Sequence, residues 1–281
     1  MKFDKLLLII LTLLTLVLLI SCTDKDLVGE AYDLEPFLEQ ESVVYYDPSN
    51  IQLIGEVGET GIIQFINHNF GVVNFQRSYI NPIVIVGPVS HFEKDEAHAR
   101  IKDVESDSFL IRIEEWFSND GTHSTEDISY IVIESGTHTI DGKTIIANTL
   151  PASTTIENEV FSTTFSSSPV VLSSIQTLIS EPPLTYKINN TSPSSAEFYL
   201  QFEQNSSYTN EVPAESIGYI ALQEGTYNLG TSTLYATTTS PFNQDWKTIS
   251  ISGFDSVSSF VASPQTNNDK DPFNLRYHTF E

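Results

Sequence analysis

The chain has 281 residues, 40% of them hydrophobic, a formal charge of −24 and a single cysteine. The hydrophobic content excludes wholesale disorder, and the length accommodates two domains of ordinary size. So large an acidic excess repels phosphate backbones and anionic lipid, which removes nucleic acid from the expected partners, and one cysteine cannot form an internal disulfide.

Lys2 and Lys5 precede an apolar stretch over residues 6–20, short for a membrane span, and Leu19-Ile20-Ser21-Cys22 comes next. The pattern resembles a bacterial lipoprotein signal peptide: residues 1–21 would be removed and Cys22 would carry the lipid. It implies an exported protein held by several acyl chains at the cell envelope, in the outer membrane. An uncleaved anchor or ordinary secretion are the alternatives. Residues 22–52 read as the lipidated cysteine and a polar tether, with Tyr45-Tyr46 available to pack onto the first domain.

After the tether the apolar residues are Ile, Val, Leu, Phe and Tyr in short runs among Ser and Thr, with no long amphipathic helix. Strands are predicted at 61–66, 72–75, 82–86, 99–104, 109–116 and 128–134, separated by Gly, Asn, Asp and Pro, and these form a first unit over 53–150. A second unit, 151–240, has predicted strands at 161–165, 169–176, 185–189, 198–202 and 217–223. Along 109–113, Phe109, Ile111 and Ile113 share one face, as do Phe198, Leu200 and Phe202 in the second unit, so these faces are predicted core. The fold class is all-β: tandem antiparallel β-sandwiches, two complete units and a partial third.

The repeat is explicit. Phe109, Glu114, Glu126, Tyr130 and Gly136 recur 89 residues later as Phe198, Glu203, Glu215, Tyr219 and Gly225. Pro82 and Arg100 recur 87 residues later as Pro169 and Lys187. SVSSFVASPQT, ending at Thr266, matches SSSPVVLSSIQT, ending at Thr177, and Arg276 falls 89 after Lys187. A third unit therefore begins within 241–281 without the counterparts of two defining strands. The expectation is a truncated reading frame, with completion by another surface as the alternative.

Ala99-Arg100-Ile101, then Phe109, Trp116 at a strand end and Ile128-Ser129-Tyr130-Ile131-Val132-Ile133-Glu134 resemble the pattern of H-type lectin domains, the family of snail agglutinins. Tyr130 stands where that family has Trp, and Asp107-Ser108 stands where Gly is usual. The resemblance implies six-stranded antiparallel sandwiches, often trimeric, that bind N-acetylgalactosamine-type sugars where neighbouring protomers meet. It implies sugar contacts at Arg100 and Trp116, with Phe117 replacing the family's His, and an altered site in the second unit, where Lys187 and Asn205 stand. Three units in one chain could imitate the trimer, as an intrachain pseudo-trimer in place of a homo-oligomer.

Trp116 also has a case of its own. Beside Arg112 and Glu114 on the polar strand face, an exposed indole would meet the C–H face of a sugar while the charges bind hydroxyls. Packing under a loop or against the next unit is the other reading. Arg100 with Glu126, and Lys187 with Glu215, place a cation and a carboxylate at corresponding positions and read as structural ion pairs or as ligand contacts. His123 and Glu126 lie in a loop with no third ligand, and Val212 replaces His123 in the second copy, so no metal and no cofactor is expected. Glu114-Glu115 point to opposite strand faces and cannot flank one glycosidic bond, so no enzyme is expected. The expected function is non-catalytic carbohydrate binding to a glycan or polysaccharide; the alternative is a structural or adhesive surface protein whose units bind a protein partner or one another.

Overall fold

The computed structural model describes residues 43–202, 213–241, 243, 245–254, 256–266 and 271–279. The signal peptide, Cys22 and the tether through residue 42 lie outside them, as do Glu203, Asn205 and Val212. The described chain is all-β, with no helix among these residues.

A short β1 (Val44–Tyr45) leads into seven strands: β2 (Ser49–Ile54), β3 (Gly58–Ile66), β4 (Gly71–Asn74), β5 (Pro82–Ser90), β6 (Ala97–Lys102), β7 (Ser108–Glu115) and β8 (Glu126–Glu134). The same seven recur as β9 (Gly136–Ile140), β10 (Lys143–Ala152), β11 (Glu157–Val160), β12 (Val170–Ile175), β13 (Leu184–Asn189), β14 (Ser195–Phe202) and β15 (Glu215–Leu222). A third series contains β16 (Gly225–Asn228), β17 (Thr233–Ala236) and β18 (Arg276–Tyr277). Sheet orders repeat accordingly: β5-β8-β3-β2 corresponds to β12-β15-β10-β9, and β4-β7-β6 to β11-β14-β13.

Each repeat therefore opens with a hairpin. β10 pairs with β15 over eight residues and with β9 over five, so the second repeat begins at Gly136, not at 151, and the third at Gly225, not at 241. The turn between β9 and β10 is Asp141-Gly142, both at positive φ, the left-handed pair that a two-residue hairpin requires. That dipeptide is the sequence signal for the hairpin. The strand predicted at 161–165 lies at 157–160 instead, because Phe161 and Phe165 leave the edge to enter the core, with N–H groups donated to the carbonyls of Ser194 and Pro193.

Each repeat's two sheets enclose a core. Phe109, Ile111 and Ile113 are 0%, 0% and 1% exposed and pack with Val84, Ile128 and Tyr130. Tyr46 joins this cluster from the end of the tether, while Tyr45 stays exposed. Phe198 and Leu200 do the same in the second repeat with Val171, Ile217 and Tyr219; Phe202, the third residue of that face, is only partly buried. A third cluster belongs to no single repeat. It gathers Ile83, Ile85, Ile131 and Ile133 from the first, Ile145, Val170, Leu172, Ile220 and Leu222 from the second, and Tyr227 and Ala236 from the third, with Val261 packed against it. Alternation along β5 explains this, since Val84 and Val86 face the repeat's own core while Ile83 and Ile85 face the shared one. The sheet β5-β8-β3-β2 is apolar on both faces, which is why IVIV and YIVI run without polar interruption.

Buried phenols are partnered. Tyr130 donates to Glu59 on β3 at 2.9 Å, and Tyr219 to Glu159 on β11 at 2.8 Å. The same need is met from two different strands.

Because the third cluster joins the repeats, Phe109→Ala and Phe198→Ala are each expected to lower unfolding stability by about 3–5 kcal/mol within one cooperative transition. Urea titration followed by tyrosine fluorescence and circular dichroism checks this. Two resolved transitions, each sensitive to one substitution, would contradict the shared core.

Candidate functional site: the charged seams between repeats

Besides the shared apolar cluster, two kinds of polar contact join the repeats, one made by strand edges and one by buried charges. Val84 and Val86 donate their N–H groups to Gln176 Oε1 (3.1 Å) and Ser174 Oγ (3.0 Å) of the second repeat. Val171 and Ser173 donate theirs to Gln265 Oε1 (2.9 Å) and Ser263 Oγ (3.0 Å) of the third. Phe260 and Ala262 donate theirs to Ser129 Oγ (3.0 Å) and the Gly87 carbonyl (3.1 Å) of the first. The contacts run from first to second, second to third and third to first, closing a ring. Gly218 permits one of them, since a Cβ there would come within 2.6 Å of the Gln176 side chain.

The charged contacts take the same direction. Arg100 on β6 is 1% exposed and donates Nη2 to Glu215 Oε1 at 2.9 Å, across the seam to the second repeat. Glu215 also accepts the Thr177 hydroxyl (2.5 Å) and the N–H groups of Ile179 (3.0 Å) and Ser180 (2.7 Å). At the seam between the third repeat and the first, Arg276 on β18 donates Nη2 to Glu126 Oε1 at 2.6 Å, and Glu126 accepts the Ser90 hydroxyl and the N–H groups of Phe92 and Glu93. The equivalent Lys187 is also buried, its ammonium 3.2 Å from the Asp271 carbonyl and over the Phe273 ring. The pairs predicted within a unit, Arg100 with Glu126 and Lys187 with Glu215, are thus replaced by pairs between repeats. The cation sits on an edge strand, β6 or β18, and reaches the adjoining repeat, whereas the carboxylate sits at the start of β8 or β15, cradled by the turn that follows β5 or β12.

The proposed sugar residues lie on this first seam. Glu114 is held by Arg112 (2.6 Å), His98 Nε2 (3.2 Å) and Arg100 (3.7 Å), and the His98 ring lies 5.2 Å from that of Trp116. Trp116 is 5% exposed and Glu114 6%, so the exposed indole expected of a sugar platform is absent; Arg112 is half-buried and Phe117 is the only solvent-facing member of the set. Burial would raise the Glu114 pKa, but the hydrogen bond and charge of His98, then Arg100 and Arg112, outweigh it and hold the carboxyl at about 2.

Sequence reasoning sets His123 aside, yet the structure places it at the centre of a charged cluster. It is 1% exposed, with Nδ1 2.8 Å from Glu115 and Nε2 3.2 Å from Glu126. Two carboxylates on opposite ring nitrogens favour the imidazolium, which donates an N–H to each, and the ligand directions diverge from any single ion. Burial opposes the charge, yet the hydrogen bonds to Glu126 and Glu115 and the charge of Glu93 raise the pKa; Arg276 opposes them more weakly. For Glu126, burial is outweighed by His123, the Ser90 hydroxyl and two backbone N–H groups, leaving it at about 2.

An exposed aromatic cluster lies at the seam between the third repeat and the first. β18 runs parallel to β5 with Arg276 beside Val89 and Tyr277 beside Ser90, so His278 continues beside His91. Their ring centroids are 5.2 Å apart, and Trp246 lies 3.8 Å from His278 at a tilt of 38° and 5.2 Å edge-on from His91 while remaining 57% exposed.

No family model matches the chain, and no solved structure matches it. Among curated proteins, Halomucin of Haloquadratum walsbyi (strain DSM 16790 / HBSQ001) is 34% identical over 224 residues, 74% of this chain. The chain spans only 2% of Halomucin's length.

Arg100→Ala leaves Glu215 buried without its cation and is expected to cost about 3–5 kcal/mol, read as a lower urea midpoint. The pH dependence has two arms. The His123 pKa is raised above 6.5 on folding, so its contribution is complete below 6.5 and is lost as pH rises through the folded value; His123→Gln should flatten that alkaline arm. The Glu114 and Glu126 pKa values fall from 4.5 to about 2, so theirs is present above 4.5 and is lost as pH drops toward 2. Thermal melts across the pH range check both arms.

Proposed function

We propose that this chain is a non-catalytic carbohydrate-binding module of the cell envelope, tethered through lipid on Cys22 in the outer membrane. Its H-type-lectin-like β-sandwich repeats form an intrachain pseudo-trimer. The observation that carries this reading is the ring of contacts from first to second, second to third and third to first repeat, matched by the buried pairs Arg100–Glu215 and Arg276–Glu126. The resemblance puts sugar sites where neighbouring protomers meet, and the seams are the corresponding places in a single chain.

Within this reading the sugar contact moves away from Trp116. Trp246 offers a flat apolar surface for the C–H face of a pyranose, and His91 and His278 supply ring nitrogens able to bond its hydroxyls. A second reading, a structural or adhesive protein whose repeats bind a protein partner, draws support from the burial of Arg100, Glu114 and Trp116, which commits the family-like residues to holding repeats together.

The test is a glycan array probed with the mature chain, Trp246→Ala and Trp116→Phe. Binding abolished by Trp246→Ala, at an unchanged unfolding midpoint, and retained in Trp116→Phe is expected. Absence of any bound glycan with a folded chain would favour the protein-binding role. Since only two tryptophans are present, a sugar that binds as proposed should also quench the exposed one.

A further inference from the structure

Two residues before each seam cation stands a second polar residue. His98, Thr185 and Asn274 precede Arg100, Lys187 and Arg276 and keep their spacings of 87 and 89 residues. Side chains two apart on extended backbone share a face, so the geometry that carries three cations to the seams also brings a polar side chain from each repeat to one place. All three line a single cavity of about 60 Å³ where the repeats meet, with Gly87 of the first repeat, Ser174 of the second and Ala262 of the third. The Thr185 hydroxyl donates to Asn274 Oδ1 at 2.9 Å, which turns the amide nitrogen of Asn274 elsewhere.

Two atoms of this polar ring lack a partner. His98 is 7% exposed and has Nε2 3.2 Å from Glu114, but its Nδ1 has no hydrogen-bond partner among the described residues, and neither has Asn274 Nδ2. Nε and Nη1 of Arg100, two residues from His98, are in the same position. Buried polar groups are nearly always satisfied, so unpaired atoms on residues that line a cavity point to an occupant. Asn274 Nδ2 can only donate. His98 Nε2 faces a carboxylate and donates to it, and a proton on Nδ1 makes that atom a donor too. The charge around the cavity agrees. In a chain with 37 Asp and Glu, no carboxylate lines it among the described residues, and Arg100, Lys187 and Arg276 stand two residues behind the ring. The titratable and charged groups around His98 are Glu114 on β7, held ionised beside Arg112 and Arg100, and Tyr186 on β13, whose phenol burial pushes up to about 12 and keeps neutral. The volume exceeds the roughly 10–15 Å³ that one water needs.

We infer that this cavity binds a small inorganic anion of the size of chloride, held by the amide N–H of Asn274 and the Nδ1–H of His98, with one proton taken up from solvent on His98 for each anion bound. The anion joins the first repeat to the third, and the Thr185 hydroxyl of the second fixes the amide that receives it. The inference rests on the ring of repeats and not on the carbohydrate reading, since Trp246, His91 and His278 do not line this cavity.

The test is the NMR line broadening of chloride titrated into the mature full chain, with sodium gluconate, whose anion is too large for the cavity, holding ionic strength constant. Saturable excess broadening is expected. Because one proton enters with each anion, the affinity should fall with rising pH, by up to about tenfold per pH unit. Asn274→Asp keeps the oxygen that Thr185 meets and replaces the donor by a negative charge; it and His98→Gln should each remove the excess broadening. Unfolding midpoints in gluconate show which variants are folded, and crystals of the unaltered chain grown in sodium bromide, expected to show an anomalous peak in the cavity, decide the matter should neither variant fold. No excess broadening by the folded chain, an affinity independent of pH, or water alone in the cavity of the bromide crystals overturns the inference. Broadening unchanged in a folded variant means an adventitious ion only and overturns it too. A glycan array that fails leaves this inference standing, and loss of anion binding leaves the carbohydrate reading standing.

Discussion

The first and second repeats each contain an inner sheet that is apolar on both faces, and the rest of the architecture stems from the need to bury the second face. One face is covered by the repeat's own outer sheet, through Phe109, Ile111 and Ile113 or their counterparts. The other carries Ile83, Ile85, Ile131 and Ile133, or Val170, Leu172, Ile220 and Leu222, and a single repeat has nothing to put against it. At about 25 cal/mol per Å² of apolar surface removed from water, leaving such a face wet would cost an amount comparable to the typical net stability of a domain. The repeats therefore cannot be beads on a string. They meet face to face, and the residues that would be an exposed sheet edge in an isolated repeat become the seams.

Closing a ring brings backbone groups and charges into a dry place, and the seams deal with both. The edge N–H groups of Val84 and Val86 are taken up by Gln176 and Ser174, and those of Val171 and Ser173 by Gln265 and Ser263, side chains that carry the same offsets through the chain. Glu126 and Glu215 each accept a hydroxyl and two backbone N–H groups before any cation arrives, and the guanidinium from the adjoining repeat completes the set. Carboxylates so fully hydrogen-bonded can stay buried as charges, and completing them with the neighbour's cation orients one repeat on the next. His123 adds a proton-dependent element to one seam, because its two carboxylate partners favour the imidazolium and raise its pKa.

The same geometry separates the residues that look like a sugar site from those that are free to act as one. Arg100, Glu114 and Trp116 form a continuous set with His98 on the first seam, but each is enclosed and already bonded or packed. Trp246 lies in no strand and matches no position of the resemblance; the parallel approach of β18 to β5 gives it two imidazoles to rest on.

The sequence by itself determined the all-β class, the repeat and the core faces. Alternation puts Phe109, Ile111 and Ile113 on one side whatever surrounds them, and the recurrence at 89 residues marks out equivalent positions without reference to coordinates. The uninterrupted runs IVIV and YIVI also announced strands buried on both faces, but not what buries them. The repeat boundaries, the ion-pair partners and the exposure of Trp116 were decided by tertiary structure alone. Periodicity reports which way a side chain points relative to its own strand, whereas Arg100 finds Glu215, 115 residues away, only when two repeats are docked. Tyr130 and Tyr219 make the same point from within the repeats: both phenols had to find an acceptor, and which glutamate answered depended on the strand that happened to lie opposite.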